Sequence, residues 1–260
     1  MDGQLSDSVA VITGASRGIG AAMAKAFAQE GASLCLMARH QPGLDDLAAQ
    51  LPLHSSAQVM TLALDVTDRD ACFQAVTKAL QHFGHIDTLV NNAGIYKSQP
   101  FLNYTASDFQ SMLDVNFFGV LHFMQACLPH MQARNKGSII NIASTAGKWG
   151  SRNQSAYNVS KHAVVGLTRC VALEASPYRV TVNAICPGFV ETDMLDELRA
   201  QAAISAGTSA AEFEKAALAR VPLGRMMRPE EIASMAVFLA SKNATGMTGQ
   251  SIHMDGGMVL

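Results

Sequence analysis

Seven short runs rich in apolar and β-branched residues recur along the chain, separated by stretches of helical periodicity. They are Val9 to Thr13, Ser33 to Ala38, Gln58 to Leu64, Thr88 to Asn91, Gly137 to Ala143, Arg179 to Ile185 and Ser251 to Met254. Most are continuous rather than alternating, as strands buried on both faces must be. Such strands belong to a parallel sheet with helices on each side, so the expected class is α/β. The punctuation agrees. Gly31 and Gly84 sit where helices should end, Thr67-x-x-Asp70 reads as a capping-box variant, and Pro229 before Glu230-Glu231 suits a first helical turn. The rhythm breaks once, at about 191–220, an Ala-rich and mostly helical stretch without a strand of its own, which is the pattern of a lid.

Composition narrows the partners. Of 260 residues 49% are hydrophobic and 15% charged, a globular balance, and 19 Lys+Arg against 21 Asp+Glu give a net charge of −2. No global field would draw such a chain to nucleic acid or to an anionic membrane. The longest stretch free of formal charge, Val115 to Ala133, carries Asn116, His122, Gln125, His130 and Gln132, too polar for a hydrocarbon core. The acidic start, Met1-Asp2-Gly3-Gln4, runs into an apolar strand with neither a basic region nor a cleavable apolar segment, so a cytoplasmic location is expected. Five cysteines (Cys35, Cys72, Cys127, Cys170 and Cys186) are widely spaced and show no Cys-x-x-Cys, and the eight histidines show no metal-ligand spacing. Buried free thiols and no metal are expected.

The first run ends in Thr13-Gly14-Ala15-Ser16-Arg17-Gly18-Ile19-Gly20 and passes into a helix. Glycines here let the backbone turn tightly, approach a pyrophosphate, and aim the unpaired N–H groups of the helix start at it. The spacing is G-x-x-x-G-x-G rather than the commoner G-x-G-x-x-G. The second run ends in Ala38-Arg39-His40, with no acid before Asp45. An acid there would bind the ribose 2′-OH of NAD, whereas arginine accommodates the 2′-phosphate of NADP; Arg39 and Arg17 therefore point to NADP(H). Tyr157 and Lys161 stand one helical turn apart on one face. A phenol of pKa near ~10 exchanges protons poorly at neutrality, and lowering it by roughly two or three units takes about 3–4 kcal/mol, which a close Lys⁺ and a positive nicotinamide ring can supply. Ser144 follows the fifth run at its carboxyl end, where ligands bind in open α/β sheets, and a Ser144 and Tyr157 donor pair would stabilise the charge that grows on a carbonyl oxygen as hydride arrives. Asn116 is open to two readings, a functional amide or one that bonds backbone at a helix start.

Together, Gly14-x-x-x-Gly18-x-Gly20, Asp65-Val66, Asn91-Asn92-Ala93-Gly94, Asn116, Ser144, Tyr157-x-x-x-Lys161 and Pro187-Gly188 resemble the short-chain dehydrogenases/reductases over essentially the whole chain. The resemblance implies a single Rossmann-type domain, residues 1–260, with a doubly wound seven-stranded parallel sheet, and hydride transfer between NAD(P)(H) and a carbonyl or alcohol. It also implies roles. Tyr157 is the acid/base, Ser144 bonds the substrate oxygen, Lys161 holds the nicotinamide ribose, and Asn116 supports a water relay from that lysine. The cofactor would lie along Gly14, Ser16, Arg17, Gly18, Ile19, Gly20 and Arg39, with Asp65 and Val66 at the adenine. Asn92, Ala93 and Gly94 would line the ribose side, and Pro187, Gly188, Val190 and Thr192 the nicotinamide end.

Within the family, the stretches 141–148, 160–168, 182–192 and 220–225 look like polyketide and β-ketoacyl reductases. They are also similar to D-3-hydroxybutyrate dehydrogenases, but the substrate clamp of those enzymes is replaced by Tyr96, Ala146 and Gln154, which leaves no cation or imidazole for a small carboxylate. The expected activity is NADP(H)-dependent reduction of a 3-oxoacyl thioester, polyketide-like or bulky ketone. Rivals are an NAD-dependent alcohol or 3-hydroxy acid dehydrogenase and a non-catalytic dinucleotide-binding regulator. Trp149, Phe189, Met194, Leu195 and Leu198 are candidates either for the substrate pocket or for packing under the lid. Arg134, Lys136, Lys148 and Arg152 are the cations available to a carrier-protein dock. The family commonly forms homodimers or homotetramers through the helices around Asn116 to Met131 and Ser155 to Glu174 and the C-terminal strand; both stretches are apolar on more than one face.

Overall fold

The computed structural model describes residues 3–54, 56–197, 199 and 209–259. Seven parallel strands form one sheet: β1 (Val9–Thr13), β2 (Ser33–Ala38), β3 (Val59–Ala63), β4 (Thr88–Asn91), β5 (Gly137–Ile142), β6 (Val180–Pro187) and β7 (Ser251–Met254), in the order β3-β2-β1-β4-β5-β6-β7. The order reverses between β1 and β4, and the crevice at their carboxyl ends is where open α/β sheets bind ligands. Four strands match the expected bounds residue for residue. The others differ by one or two residues at their ends: β3 is a half-exposed edge strand, and β6 is lengthened by pairing Pro187 with Met254 of β7.

Side chains alternate across the sheet, and both faces are covered. One face carries Ala10, Ile12, Leu34, Leu36, Val90 and Ile140 against α1 (Gly18–Gln29), α2 (Gln41–Ala49) and α8 (Pro229–Ala240). The other carries Val11, Cys35, Leu89, Ile139 and Val182 against α3 (Arg69–Phe83), α5 (Gly119–Arg134) and α6 (Ser155–Ala175). The helix α4 (Ala106–Leu113) joins α5 through a π-helical turn at Asp114–Phe118, and α7 (Ala210–Leu218) precedes α8. Helical residues 193–197 open the segment after β6; Leu198 and much of the expected lid, 200–208, lie outside the described residues. Four cysteines are buried, but Cys170 is exposed on α6. The cap of α3 is Asp68 rather than Thr67: its carboxylate accepts from Ala71 N–H at 3.0 Å, while the N–H and hydroxyl of Thr67 are both taken by Asp65 at 2.9 Å.

A buried polar chain sets α6 on the sheet. Asn91 of β4 donates to Asn141 of β5 at 2.8 Å, and Asn141 donates to Thr168 of α6 at 2.9 Å. Groups buried this deeply must be paired, so the chain fixes the angle at which α6 presents its first turns to the crevice.

Candidate active site

A cleft of about 810 Å³ runs along the carboxyl ends of the strands. At one end the glycine turn closes it. Gly14 has φ +63° and Gly18 φ +55°; a Cβ on Gly14 would lie 2.8 Å from Ala93 Cα, and one on Gly20 only 2.2 Å from the Gly14 carbonyl oxygen. Gly20 is itself buried, so it allows α1 to pack under the turn. Asn92 holds the arrangement by donating to the Thr13 and Gly14 carbonyls at 3.1 and 2.9 Å. No side chain caps the start of α1 and no acid lies in its first turn, so its free N–H groups face the cleft with their partial positive charge unopposed. This cradle fits a pyrophosphate.

Of the expected cofactor residues, Gly14, Ser16, Arg17, Gly18, Ile19, Arg39, Asp65, Val66, Asn92, Ala93, Gly94, Tyr157, Lys161, Pro187, Gly188, Val190 and Thr192 all line this one cleft. The two arginines differ. Arg39 has no ion-pair partner among the described residues. Arg17 is held across the cleft mouth by Asp193 at 3.2 Å and Glu197 at 3.9 Å.

Beyond the nucleotide end, Ser144 follows β5 and opens a turn of 3₁₀ helix, its hydroxyl accepting from Ala146 N–H at 3.1 Å. Tyr157 and Lys161 share one face of α6, and Gly147 brings the turn close, since a Cβ there would meet the Lys161 carbonyl at 2.7 Å. The Ser144 hydroxyl interacts with the Tyr157 phenol, and both side chains line the cleft. The Lys161 ammonium is almost fully buried; it lies 5.7 Å from the centre of the Tyr157 ring and donates to the Ile142 carbonyl at 2.9 Å.

The protein's own groups do not lower the tyrosine pKa as the spacing predicts. Burial pushes the Tyr157 phenol up to about 12, the Ser144 hydroxyl offsetting only part of it, and burial brings Lys161 down to about 8. The physical reason is that desolvation penalises both charged forms, while the ammonium is turned toward the Ile142 carbonyl.

Asn116 sits in the π-helical turn, wholly buried and just outside the cleft lining. Its oxygen accepts from Ile95 N–H at 2.8 Å, and its nitrogen donates to the Ile95 carbonyl and to the Ser160 hydroxyl, each at 3.0 Å. The amide thus anchors the Gly94-Ile95 backbone beside Lys161.

The remaining walls come from segments far apart in the chain: Tyr96 and Ser98 after β4, Trp149 to Gln154 after the serine, Phe189, Met194 and Leu195 after β6, Phe213 and Arg220 around α7, and Met258. The ring of Tyr96 packs edge-on against Tyr157 with centroids 5.1 Å apart. Asn158 pins the 149–151 loop, donating to the Trp149 carbonyl at 2.7 Å. Phe189, Leu195, Phe213, Ala217, Leu218 and Met226 form a small apolar core of their own. Sequence reasoning missed Arg220, which enters the lining with its guanidinium 4.6 Å from the Trp149 ring centre and, together with Arg152, corrects the expectation of a substrate end without cations. Arg134 and Lys136 are not part of this end. Both bind the buried Asp87 at the opposite, amino-terminal edge of the sheet, at 3.2 and 2.9 Å, so no single patch unites them with Lys148 and Arg152.

Among the described residues no group of three or more His, Cys, Asp or Glu is arranged to hold a metal ion, and no helix is long and apolar enough to cross a membrane.

A family model described as Enoyl-(Acyl carrier protein) reductase matches residues 14–259. The chain is 38% identical to the 3-oxoacyl-(acyl-carrier-protein) reductase FabG of Thermotoga maritima, covering 99% of this chain and 100% of that protein. It is 36% identical to the monensin polyketide synthase putative ketoacyl reductase of Streptomyces virginiae, over 98% of each. Among solved structures it superposes on levodione reductase with a TM-score of 0.92 at 36% identity, covering 97% of this chain and 98% of that one.

Proposed function

Because the chain belongs to the short-chain dehydrogenase/reductase family, we propose that it is an NADP(H)-dependent ketoreductase acting on a 3-oxoacyl thioester, a polyketide-like or another bulky ketone. The observation that carries the reading is the gathering of Ser144, Tyr157 and buried Lys161 in one cleft continuous with the glycine turn. When bound, the reduced nicotinamide supplies the hydride. Ser144 and Tyr157 take the carbonyl oxygen between two hydroxyl donors, and their bonds strengthen as that oxygen becomes negative. Tyr157 gives the oxygen its proton to complete the alcohol. The phenol is protonated at neutral pH, the form that gives up a proton in reduction. Lys161 holds positive charge beside the phenol and the ribose side, and Asn116, by fixing the Ile95 backbone, keeps open the route by which the proton is replaced.

Arg39, just after β2 and without an ion pair among the described residues, receives the 2′-phosphate, with Arg17 assisting, and Asp65 and Val66 flank the adenine. The 191–220 segment serves as the substrate lid, seated through the Phe189 and Phe213 cluster. Exposed Phe118, Val159 and Leu173, on the elements from which self-association is expected, support a homotetramer or homodimer, and the expected location is cytoplasmic. The test is NADPH oxidation against a panel of ketones that includes 3-oxoacyl thioesters, run beside light scattering. Turnover with NADPH in preference to NADH is expected. Absence of turnover on every ketone, with the dinucleotide still bound, would favour the regulator reading.

A further inference from the structure

We propose that Arg220, stacked on Trp149, selects the substrate by receiving an anionic group, a carboxylate or a phosphate, carried by the ketone. This rests on the ketoreductase reading and extends it to substrate class.

Three observations converge. First, beyond Ser144 and Tyr157 the described walls of the cleft hold two formal charges, Arg152 and Arg220, both positive, among aromatic, amide and hydroxyl side chains. Second, Arg17, Arg199 and Arg225 are spoken for, by Asp193 and Glu197, by Asp196 and Glu214, and by Glu231 at 2.7 Å, whereas Arg152 and Arg220 have no ion pair among the described residues, and of these two it is Arg220 that is recorded against an aromatic face. Arg220 has no carboxylate among the described residues, and its recorded side-chain contact is the face of Trp149. Third, the backbone that carries the indole is itself anchored, because the Trp149 carbonyl accepts from Asn158 on the helix that carries Tyr157.

A guanidinium lying on an aromatic face keeps its N–H edge free and gives up little conformational freedom on binding. Presented at the rim of a wall whose two formal charges are both positive, it offers a planar fork matched to the two oxygens of a carboxylate or phosphate. Arg220 is exposed at this rim, so an arriving anion need not be fully desolvated before it pairs.

Trp149 is the sole tryptophan, and its emission therefore reports on this end of the cleft without turnover. The same 3-oxoacyl chain is presented as the free acid, as the coenzyme A thioester and as a neutral methyl ester, each titrated in saturating NADP⁺ against wild type and Arg220→Gln. Trp149→Phe serves as the emission control. An anionic form is expected to bind wild type more tightly than the ester, and Arg220→Gln to weaken it by roughly 10- to 100-fold. The ester should stay within about twofold, with NADPH affinity and the thermal midpoint unchanged. A loss confined to the free acid assigns a carboxylate, and one confined to the thioester a phosphate. If all three probes weaken alike, or none responds to Arg220→Gln, the proposal is overturned. If no probe is turned over, the ketoreductase reading fails instead, while the emission titrations still decide what Arg220 binds.

Discussion

At the nucleotide end of the cleft the backbone makes the site; at the substrate end side chains do. The first is a turn of eight consecutive residues in which glycines stand where a Cβ has no room, as Gly20 does against the Gly14 carbonyl. The second is assembled from five separate segments, and a Cβ on Gly150 in its loop would meet nothing within 4 Å. One shape serves every molecule bearing the same pyrophosphate, whereas side-chain walls can change with the ketone while the machinery between them stays.

The largest effect should fall where the two ends meet. Tyr157→Phe removes the proton donor and keeps the ring that packs on Tyr96; kcat is expected to fall by roughly 10²- to 10⁴-fold while NADPH binding, followed by fluorescence titration, changes little. Retained turnover would separate the chemistry from this tyrosine. Next come the paired glycines. Gly20→Ala forces the turn to move, with an expected loss of about 1–3 kcal/mol in urea unfolding and weaker dinucleotide binding, whereas Gly150→Ala should alter neither. Equal costs at the two positions would dissolve the contrast.

The uneven legibility of the sequence has the same origin. Continuous apolar runs place the central strands because burial on both faces leaves no other pattern; β3, half-exposed, loses a residue at each end, and β6 is shifted by its pairing with β7. The cap of α3 reads as Thr67 from spacing alone, yet Asp65 takes both polar groups of Thr67 and leaves the role to its neighbour Asp68. The spacing of Tyr157 and Lys161 shows that they share a face, but the direction of their titration depends on burial and on the Ile142 carbonyl, neither of which a four-residue interval encodes. Arg220 was invisible for a simpler reason: nothing local links it to Trp149.

Lys161 tests that burial directly. Its folded pKa, about 8, lies below the ordinary lysine value of 10.5, so between those values the unfolded chain holds more protons than the native one. Stability should therefore rise with pH across that window, with a slope of at most about 1.4 kcal/mol per pH unit, the penalty for the buried charge being fully present below pH 8. Tyr157, raised to about 12, acts oppositely above about pH 10, where the unfolded phenol ionises first. The difference between wild type and Lys161→Met in urea unfolding isolates the lysine: the variant should lack the rise and be the more stable protein below pH 8. Parallel pH profiles would mean that the ammonium is not penalised by its site.

The smallest effects distinguish two arginines that the sequence alone made equivalent. Arg39 carries no ion pair among the described residues, so its guanidinium can turn to a 2′-phosphate without giving anything up, and Arg39→Ala should raise KM for NADPH by about tenfold with little change for NADH. Arg17 must first leave Asp193 and Glu197, carboxylates of the helical turn that faces the glycine loop. What it gains from the phosphate is offset by what it loses, and exposed pairs of this kind differ by less than about 1 kcal/mol. Arg17→Ala should therefore cost NADPH only about threefold and fade with added salt. Because its partners begin the proposed lid, the same change should also lower KM for a bulky ketone by loosening the mouth of the cleft. An Arg17→Ala effect as large and as NADPH-selective as that of Arg39→Ala would place Arg17 wholly at the nucleotide end and leave its ion pairs with Asp193 and Glu197 without a part in closing the cleft.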